Sequence, residues 1–168
     1  RGELLGLAGL RGAGHEDIGR ALFGVIPHAG TVSLDGLTTD LASAQSAMRS
    51  GIGLVARDRI GESVAPGLAI RENAFLNPSA TGRSMLSVMS SRREEEMAEA
   101  IGRRVGLSPT DPTLAIEALS GGNQQKVVVG RWLDSGRRLL ITEDPTAGVD
   151  VGAKAEIYHL LYQALASG

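Results

Sequence analysis

Short apolar runs and amphipathic stretches follow one another along most of the chain. Residues 4–8 and 52–55 are almost continuously apolar and predict short buried strands, because a strand covered on both faces needs no polar positions. Residues 16–23 instead repeat apolar side chains at the helical spacing, and Gly24 marks the end of this predicted helix. The same patterns predict strands at 30–36 and 138–142, and helices at about 42–48, 70–76, 91–105, 121–133 and 151–165.

The order of these elements predicts the fold class. Strands and helices alternate at both ends of the chain, whereas the middle of the chain is helical. Alternation of this kind is typical of a parallel sheet flanked by helices. The sequence therefore predicts an α/β fold with a helical insertion.

Composition and charge exclude several classes of protein. The 168 residues include no cysteine, so disulfides, a thiolate nucleophile and cysteine-ligated metal sites are excluded. A net charge of −2 and five aromatic residues provide neither the basic surface nor the stacking platform of a nucleic-acid-binding protein. No apolar run approaches the ~20 residues of a membrane span. We therefore expect a soluble, cytoplasmic protein with no nucleic-acid partner and no direct membrane insertion.

Three of the 23 glycines lie in the loop between the first predicted strand and the first predicted helix. Glycines at such a place allow backbone N–H groups to point at an anion bound at the helix N-terminus. The interval from Gly9 through Gly12 to Gly14 matches the phosphate-binding loop G-x-x-x-x-G-K-[ST]. However, His15 replaces the lysine of that pattern, and Glu16 replaces the hydroxyl residue.

These two replacements lower the expected affinity for phosphate. Histidine is mostly neutral at pH 7 and is shorter than lysine. The Glu16 carboxylate would repel a phosphate about 4 Å away by roughly 4 kcal/mol at an effective dielectric constant near 20. The alternative interpretation is a plain turn, in which Glu16 and Asp17 only complement the helix dipole.

A second motif is more specific. Residues 119–126 have the sequence LSGGNQQK, and Ser120 is expected to cap the helix that follows, with a hydroxyl and free N–H groups exposed to an anion. A capped helix start alone would leave the whole motif unexplained. The motif resembles the signature of ATP-binding-cassette (ABC) proteins in its sugar-importer form. Residues 139–146, LLITEDPT, resemble the Walker B segment of that family with its two acids in reverse order, and 148–150 resemble the D-loop.

A further match narrows the branch of the family. Residues 57–59 and 70–73 resemble a segment in the second cassette of monosaccharide importers. Essentially the whole chain therefore resembles the second, C-terminal cassette of the ATP-binding protein of ribose-, galactose- or xylose-type importers. The resemblance implies a P-loop NTPase, truncated at both ends, with a RecA-like parallel-sheet core at about 1–58 and 136–168. It places the ABC helical subdomain at about 59–135.

The resemblance also implies a role for each motif residue. Asp144 stands at the position of the general base and Glu143 at that of the Mg²⁺-associated acid, and both are weakened by the exchange of the two acids. Signature residues act on the site of a partner cassette; here they are Ser120, Gly121 and Gly122. The residues implied to contact ATP are Gly9, Arg11, Gly12, Ala13, Gly14, His15, Glu16, Asp17, Asn123, Gln124 and Asp150.

Together these roles imply a degenerate cassette within an ABC-type ATPase that powers sugar import. Its intact signature completes the ATP site of a partner cassette, whereas its own ATP and Mg²⁺ site is weak or inactive. The implied partners are a second cassette in the same full-length chain, a membrane permease touched by residues 60–73, and an extracytoplasmic sugar-binding protein. The implied location is the cytoplasmic face of the cell membrane, through the permease. Two alternatives stay open: a non-catalytic scaffold or regulatory module, and a soluble ABC ATPase unconnected with transport.

Overall fold

The computed structural model describes residues 2–10, 12–77 and 89–167. A π-helical turn at Arg59–Ser63 and a 3-10 turn at Ile116–Ala118 connect larger elements. The α-helices in the described part of the chain are α1 His15–Leu22, α2 Ala44–Arg49, α3 Ile70–Ala74, α4 Ser91–Arg104, α5 Gly121–Asp134 and α6 Val151–Ser167. The strands in the same ranges are β1 Ser33–Leu34, β2 Leu37–Thr38, β3 Ile52–Val55 and β4 Leu139–Thr142.

Strands β3 and β4 form the parallel sheet at the centre of the fold. Ile52 lies beside Leu139 and Val55 beside Thr142, and all four residues of β3 are buried. A parallel pair needs a long crossover connection, and here that connection contains α3, α4 and α5. The predicted α/β class with helices between two parallel strands is confirmed.

Helix α5 contributes to two apolar clusters. Val129 and Trp132 pack with β3, and the Trp132 ring meets Phe23 edge to face, with 6.2 Å between the ring centroids. Val127, on another face of α5, packs instead with residues of the helical region such as Ile70. The division into a sheet core and a helical subdomain at about residue 135 stays a prediction, since α5 is shared by both clusters.

The predicted helices are present in the structure, each within a few residues of its expected ends. The strand predicted at 30–36 is instead an antiparallel hairpin of β1 and β2. Its two turn residues, Asp35 and Gly36, have φ angles of 52° and 78°. Two consecutive left-handed residues are typical of the two-residue turn that joins hairpin strands, and this turn lies at the end of the segment predicted as a strand.

The buried strand predicted at 4–8 is wrong. These residues have no regular secondary structure, and Leu4, Leu5 and Leu7 are 69%, 76% and 52% exposed. A strand needs neighbouring strands for its backbone N–H and C=O groups, and β3 pairs with β4 rather than with this segment. An apolar run shows that a segment can be buried but not which strand will pair with it. Over the described ranges, no helix is both long and apolar enough to cross a membrane.

Candidate functional site

The glycine loop leads directly into α1. Gly14 precedes the helix with a φ angle of 82° and no side-chain cap, and Gly12 has a φ angle of 83°. The Ala13 N–H donates to the carbonyl of Leu10 at 2.9 Å, which closes a tight turn within the loop. Arg11, which the sequence also places in this site, lies outside the described residues.

His15 turns its ring back toward the loop. A Cβ atom added at Gly9 would lie 2.9 Å from His15 Nδ1 and 3.3 Å from the Ala13 Cβ. The Nδ1 atom is buried and has no hydrogen-bond partner. The ring therefore packs against the loop, in the region where the phosphate-binding pattern would place the first phosphate contacts.

Two acidic residues occupy the first turn of α1. Glu16 and Asp17 are both exposed. The Glu16 carboxylate lies 3.6 Å from the guanidinium of Arg57, and both side chains are more than half exposed. These acids complement the partial positive charge of the helix N-terminus and present negative charge beside the loop.

Glu143 comes directly after β4, and an arginine of α1 holds its carboxylate. Nη2 of Arg20 donates to Glu143 Oε2 and to Glu62 Oε1, each at 2.9 Å, while Nη1 donates to Glu62 Oε2 at 3.0 Å. The backbone N–H of Arg57 also points to Glu143 Oε2, at 3.4 Å. Hydrogen bonds to Glu62 and then to Glu143 raise the pKa of Arg20 above its usual value.

The arrangement at Glu143 does not fit a magnesium site. Mg²⁺ requires near-octahedral oxygen coordination, but Glu143 Oε2 already accepts from Arg20. Its other oxygen, Oε1, is buried and has no hydrogen-bond partner. A single free oxygen is too few for the coordination shell of Mg²⁺. Over the described ranges, no three His, Asp or Glu side chains form a group that could hold a metal ion.

Asp144 has an unusual backbone conformation. Its φ angle is 45°, in the left-handed region that non-glycine residues rarely occupy. The side chain is exposed, and the Ala147 N–H donates to the Asp144 carbonyl at 2.9 Å. The carboxylate therefore faces solvent at the tight turn that ends β4.

Ser120 caps the N-terminus of α5, as its position in the motif predicts. Its Oγ accepts hydrogen bonds from the Asn123 N–H at 3.4 Å and from Asn123 Nδ2 at 3.1 Å. The same Asn123 amide donates to the Ser108 carbonyl at 2.7 Å. Ser120 itself is exposed. The cap therefore presents its hydroxyl to solvent, while Asn123 anchors it to a neighbouring loop.

Glycine is required where the start of α5 meets α6 and the loop before it. A Cβ atom at Gly122 would lie 2.4 Å from the Ala153 Cβ, and one at Gly121 would lie 3.3 Å from the Gly148 carbonyl oxygen. Asp150 Oδ1 accepts the Ala153 N–H at 2.9 Å and so caps α6. The motif residues of 120–122 and 148–150 thus form one surface.

Gln124 holds the start of α5 from inside. Its Nε2 donates to the carbonyls of Ile116 and Leu119, each at 3.2 Å, and its Oε1 accepts from Nε of Arg59 at 3.2 Å. Gln124 is buried, so its carboxamide fixes the helix start through hydrogen bonds within the chain. Burial lowers the pKa of Arg59, whose guanidinium also lies against Gly121.

The structure gathers the sequence-predicted residues into two groups. Glu16 and Glu143 meet around the arginines of α1 and the 57–59 segment, whereas residues 120–122 meet 148–150. A cleft of about 480 Å³ contains the arginines of the first group and reaches Gly148 of the second. It is lined by Arg20, Arg57, Asp58, Arg59, Ile60, Glu62, Ala147 and Gly148.

Sequence reasoning missed Arg20 and Glu62 as members of this site. In the sequence, Arg20 resembles the basic residue that often occupies the last turn of a helix. Glu62 resembles a solvent-exposed acid in a loop. Only a pairing between acids and bases far apart in the chain identifies them. The Arg20–Glu143 contact joins residues 123 positions apart, and the Arg20–Glu62 contact joins residues 42 positions apart. A pattern of neighbouring residues therefore cannot indicate either contact.

Comparison with known families gives a match over most of the chain. A family model described as ABC transporter matches residues 1–147. The ribose import ATP-binding protein RbsA of Hahella chejuensis is 41% identical over 169 residues, covering 100% of this chain and 34% of that protein. The RbsA protein of Chromobacterium violaceum is 40% identical over 168 residues, covering 99% of this chain and 33% of that protein. The chain thus spans about a third of the length of these curated relatives.

Solved structures share the fold. A dimeric structure of MJ0796, a bacterial ABC transporter cassette, superposes with a TM-score of 0.71 at 21% identity, covering 92% of this chain and 66% of that chain. The same cassette in a post-hydrolysis dimer bound to ADP and Pi gives a TM-score of 0.70 at 24% identity, covering 90% of this chain and 64% of that chain. The P-loop NTPase fold that the sequence predicts is thereby confirmed.

Proposed function

The chain belongs to the ABC transporter family, and from this premise we propose that it is a degenerate ATP-binding cassette of a sugar importer. Its signature surface completes the ATP site of a partner cassette, and its own site contributes little hydrolysis. The similarity to ribose import ATP-binding proteins supports the sugar-importer assignment. The observation that carries the proposal is the exposed Ser120 cap at the start of α5.

The start of α5 has the chemistry of a phosphate-binding surface. The first N–H groups of a helix lack partners within the helix and carry the positive end of its dipole. Ser120 adds a hydroxyl at the same place. Gly121 and Gly122 are the first two residues of α5, so their backbone N–H groups are among those that lack a partner within the helix.

The residues around Ser120 hold this surface rigid without covering it. Asn123 is hydrogen-bonded to Ser108, and Gln124 to the carbonyls of Ile116 and Leu119. A preorganised set of donors stabilises the charge that develops on a transferred phosphoryl group more effectively than a mobile set. We therefore assign Ser120 and the N-terminus of α5 to the terminal phosphate of ATP bound by the partner cassette.

The glycine loop of this chain supports the second half of the proposal. His15 lies against the loop, where the pattern of an active site has a lysine that reaches the phosphates. Glu16 adds negative charge at the helix start, and Glu143 is paired with Arg20. Negative charge beside the loop disfavours bound phosphate, and the lysine ammonium that would attract phosphate is absent, so we expect weak nucleotide affinity at this loop.

The proposal includes three partners. A second cassette, carried by the same full-length chain, supplies the catalytic loop that faces Ser120. A membrane permease receives the segment 60–73, and an extracytoplasmic protein delivers the sugar. The cassette then works at the cytoplasmic face of the cell membrane. The dimeric ABC cassette structures that share this fold support the pairing of two cassettes.

The test replaces Ser120 by alanine in the full-length subunit assembled with its permease. The Ser90→Ala variant is the matched control, because Ser90 caps α4 with the same geometry, accepting the Arg93 N–H at 3.4 Å. Each substitution should cost about 1 kcal/mol of stability through the lost cap. Only Ser120→Ala should lower kcat for ATP hydrolysis, by about 10- to 100-fold, since it alone removes a donor to the phosphate.

Equal ATPase rates in the two variants would contradict the proposal and would support a scaffold or regulatory module. If Ser120→Ala abolishes ATP hydrolysis to the same extent with and without the permease, the result would instead favour an ATPase unconnected with transport. Circular dichroism of both variants establishes that each is folded before the rates are compared.

A further inference from the structure

The carboxylate at the end of β4 already has a cation beside it. Nη2 of Arg20 is shared by Glu143 Oε2 and Glu62 Oε1, at 2.9 Å each, and a second bond to Glu62 makes that pair bidentate. Both side chains of the Arg20–Glu143 pair are largely shielded, at 28% and 14% exposed. Shielded, charge-assisted hydrogen bonds are stronger than exposed ones.

The path of α1 explains why Arg20 reaches this carboxylate. Gly19 faces β4 so closely that a Cβ atom there would lie 2.8 Å from Ile141 Cγ2. The absence of a side chain at Gly19 therefore brings the helix close to the strand. Arg20 is the next residue along α1, and Glu143 follows directly after β4, so the guanidinium arrives at the strand end.

The same contacts leave no set of ligands for a divalent ion. Glu143 Oε2 and Glu62 Oε1 both accept a hydrogen bond from the same guanidinium nitrogen, Nη2 of Arg20. Glu16 stands where the phosphate-loop pattern has the hydroxyl that binds Mg²⁺, and its carboxylate pairs with Arg57. A guanidinium stays charged at any physiological pH, so it does not leave by deprotonation.

We propose that Arg20 takes the place of the divalent cation in this cassette, as a permanent counter-ion of Glu143 that closes the site to Mg²⁺. Arg20 thereby joins three elements: α1, the end of β4, and the π-helical turn at Arg59–Ser63. The inference deepens the weak own site of the proposed function, on which it rests. It concerns metal binding only, and not the action of Ser120 on a partner.

The experiment titrates the chain with Mn²⁺ alone and follows free Mn²⁺ by electron paramagnetic resonance. We expect no saturable binding by the wild type. Arg20→Met should gain one Mn²⁺ site at least about tenfold tighter than any binding by the wild type, since Glu143 and Glu62 then face each other without a cation. Arg57→Met is the matched control: it removes an arginine from the same cleft but leaves Arg20 in place, and it should gain no site.

Thermal unfolding gives a second readout of the same variants. Arg20→Met should melt below the wild type without metal, because two carboxylates lose their shared counter-ion, and Mn²⁺ should restore part of the loss. Adding Glu143→Gln to Arg20→Met should abolish both the Mn²⁺ site and the rescue. A folded Arg20→Met variant that binds no Mn²⁺ would overturn the proposal.

The wild type also provides a test that does not depend on the folding of Arg20→Met. Saturable Mn²⁺ binding by the wild type that disappears in Glu143→Gln would show that Glu143 holds a metal despite Arg20, and would overturn the proposal. If neither the wild type nor Glu143→Gln binds Mn²⁺ saturably, the result supports the proposal. Neither result depends on the ATPase rates of Ser120 variants, so failure of this inference and failure of the proposed function are distinguishable.

Discussion

At position 122, a single hydrogen atom in place of a side chain allows two helices to meet. The space that a Cβ atom would need is taken by Ala153, 2.4 Å away, at the start of α6. The neighbouring Asp150 caps that same helix. The glycine at position 122 therefore allows the start of α5 to pack against the start of α6. Packing thus requires glycine at this position of the motif, in addition to any role in binding phosphate.

Replacing Gly122 by alanine should destabilise the chain by about 1–3 kcal/mol, because the added methyl group overpacks the contact with α6. Urea denaturation followed through the fluorescence of Trp132, the one tryptophan of the chain, measures the loss. Gly6→Ala is the control: a Cβ atom at Gly6 meets nothing within 4 Å. Equal midpoints for the two variants would contradict the contact.

At the scale of the element, helix α3 depends on contacts with neighbouring segments for its stability. Five residues are too few for a stable helix in water. Asn73 is fully buried and donates from Nδ2 to the carbonyls of Ala65, Leu68 and Ala69, while its Oδ1 accepts the Ala65 N–H. Arg131 of α5 donates to the Asn73 carbonyl at 3.1 Å. Buried polar groups thus fix the segment that we propose faces the permease.

Burial has an electrostatic cost at Arg131, where it lowers the pKa to about 10. Its Nη2 donates to the Ser63 carbonyl at 2.9 Å, in addition to the bond to Asn73. These two bonds connect the last turn of α5 with Ser63 of the π-helical turn and with Asn73 of α3.

Asn73→Ala should cost at least about 2 kcal/mol, because each buried group left without a partner costs about 1–3 kcal/mol. Gln163→Ala is the control, since that side chain is exposed and hydrogen-bonds to the exposed His159 of α6, and it should change stability by less than about 0.5 kcal/mol. Chemical denaturation measures both. A loss below 0.5 kcal/mol in Asn73→Ala, roughly the range of an exposed site, would contradict a structural role for this network.

At the scale of the whole molecule, stability is distributed unevenly along the chain. Strand β3 is completely buried, and so is most of α5. Val128, Val129 and Trp132 of α5 pack against the sheet of β3 and β4. The N-terminal segment 2–10 is exposed throughout. Segments with few buried contacts open at low free energy, whereas core elements open only on global unfolding.

Native-state hydrogen exchange should therefore show its strongest protection at 52–55 and 127–132, and little protection at 4–8. The physical reason is that the amides of the core strand and helix are both hydrogen-bonded and buried, whereas those of 4–8 face solvent. Mass spectrometry of peptic peptides resolves the two regions. Equal protection at 4–8 and 52–55 would show that the N-terminal segment is paired as a strand in solution.

The sequence alone determined what depends on neighbours within a few residues. The Ser120 cap at the start of α5 follows from a hydrogen bond that spans three positions, and the glycine turn before α1 follows from local backbone freedom. The order of strands and helices along the chain was sufficient to predict the α/β fold class. These features are set by short-range chemistry, which a linear pattern contains.

Only the tertiary structure decided which distant segments meet. It left the apolar run at 4–8 exposed, because burial requires a neighbouring strand and not only an apolar sequence. It also brought Arg20 to Glu143 across 123 residues, because Gly19 lets α1 lie close to β4. Such contacts depend on how elements approach one another in space, and this approach is a property of the packed molecule rather than of any segment.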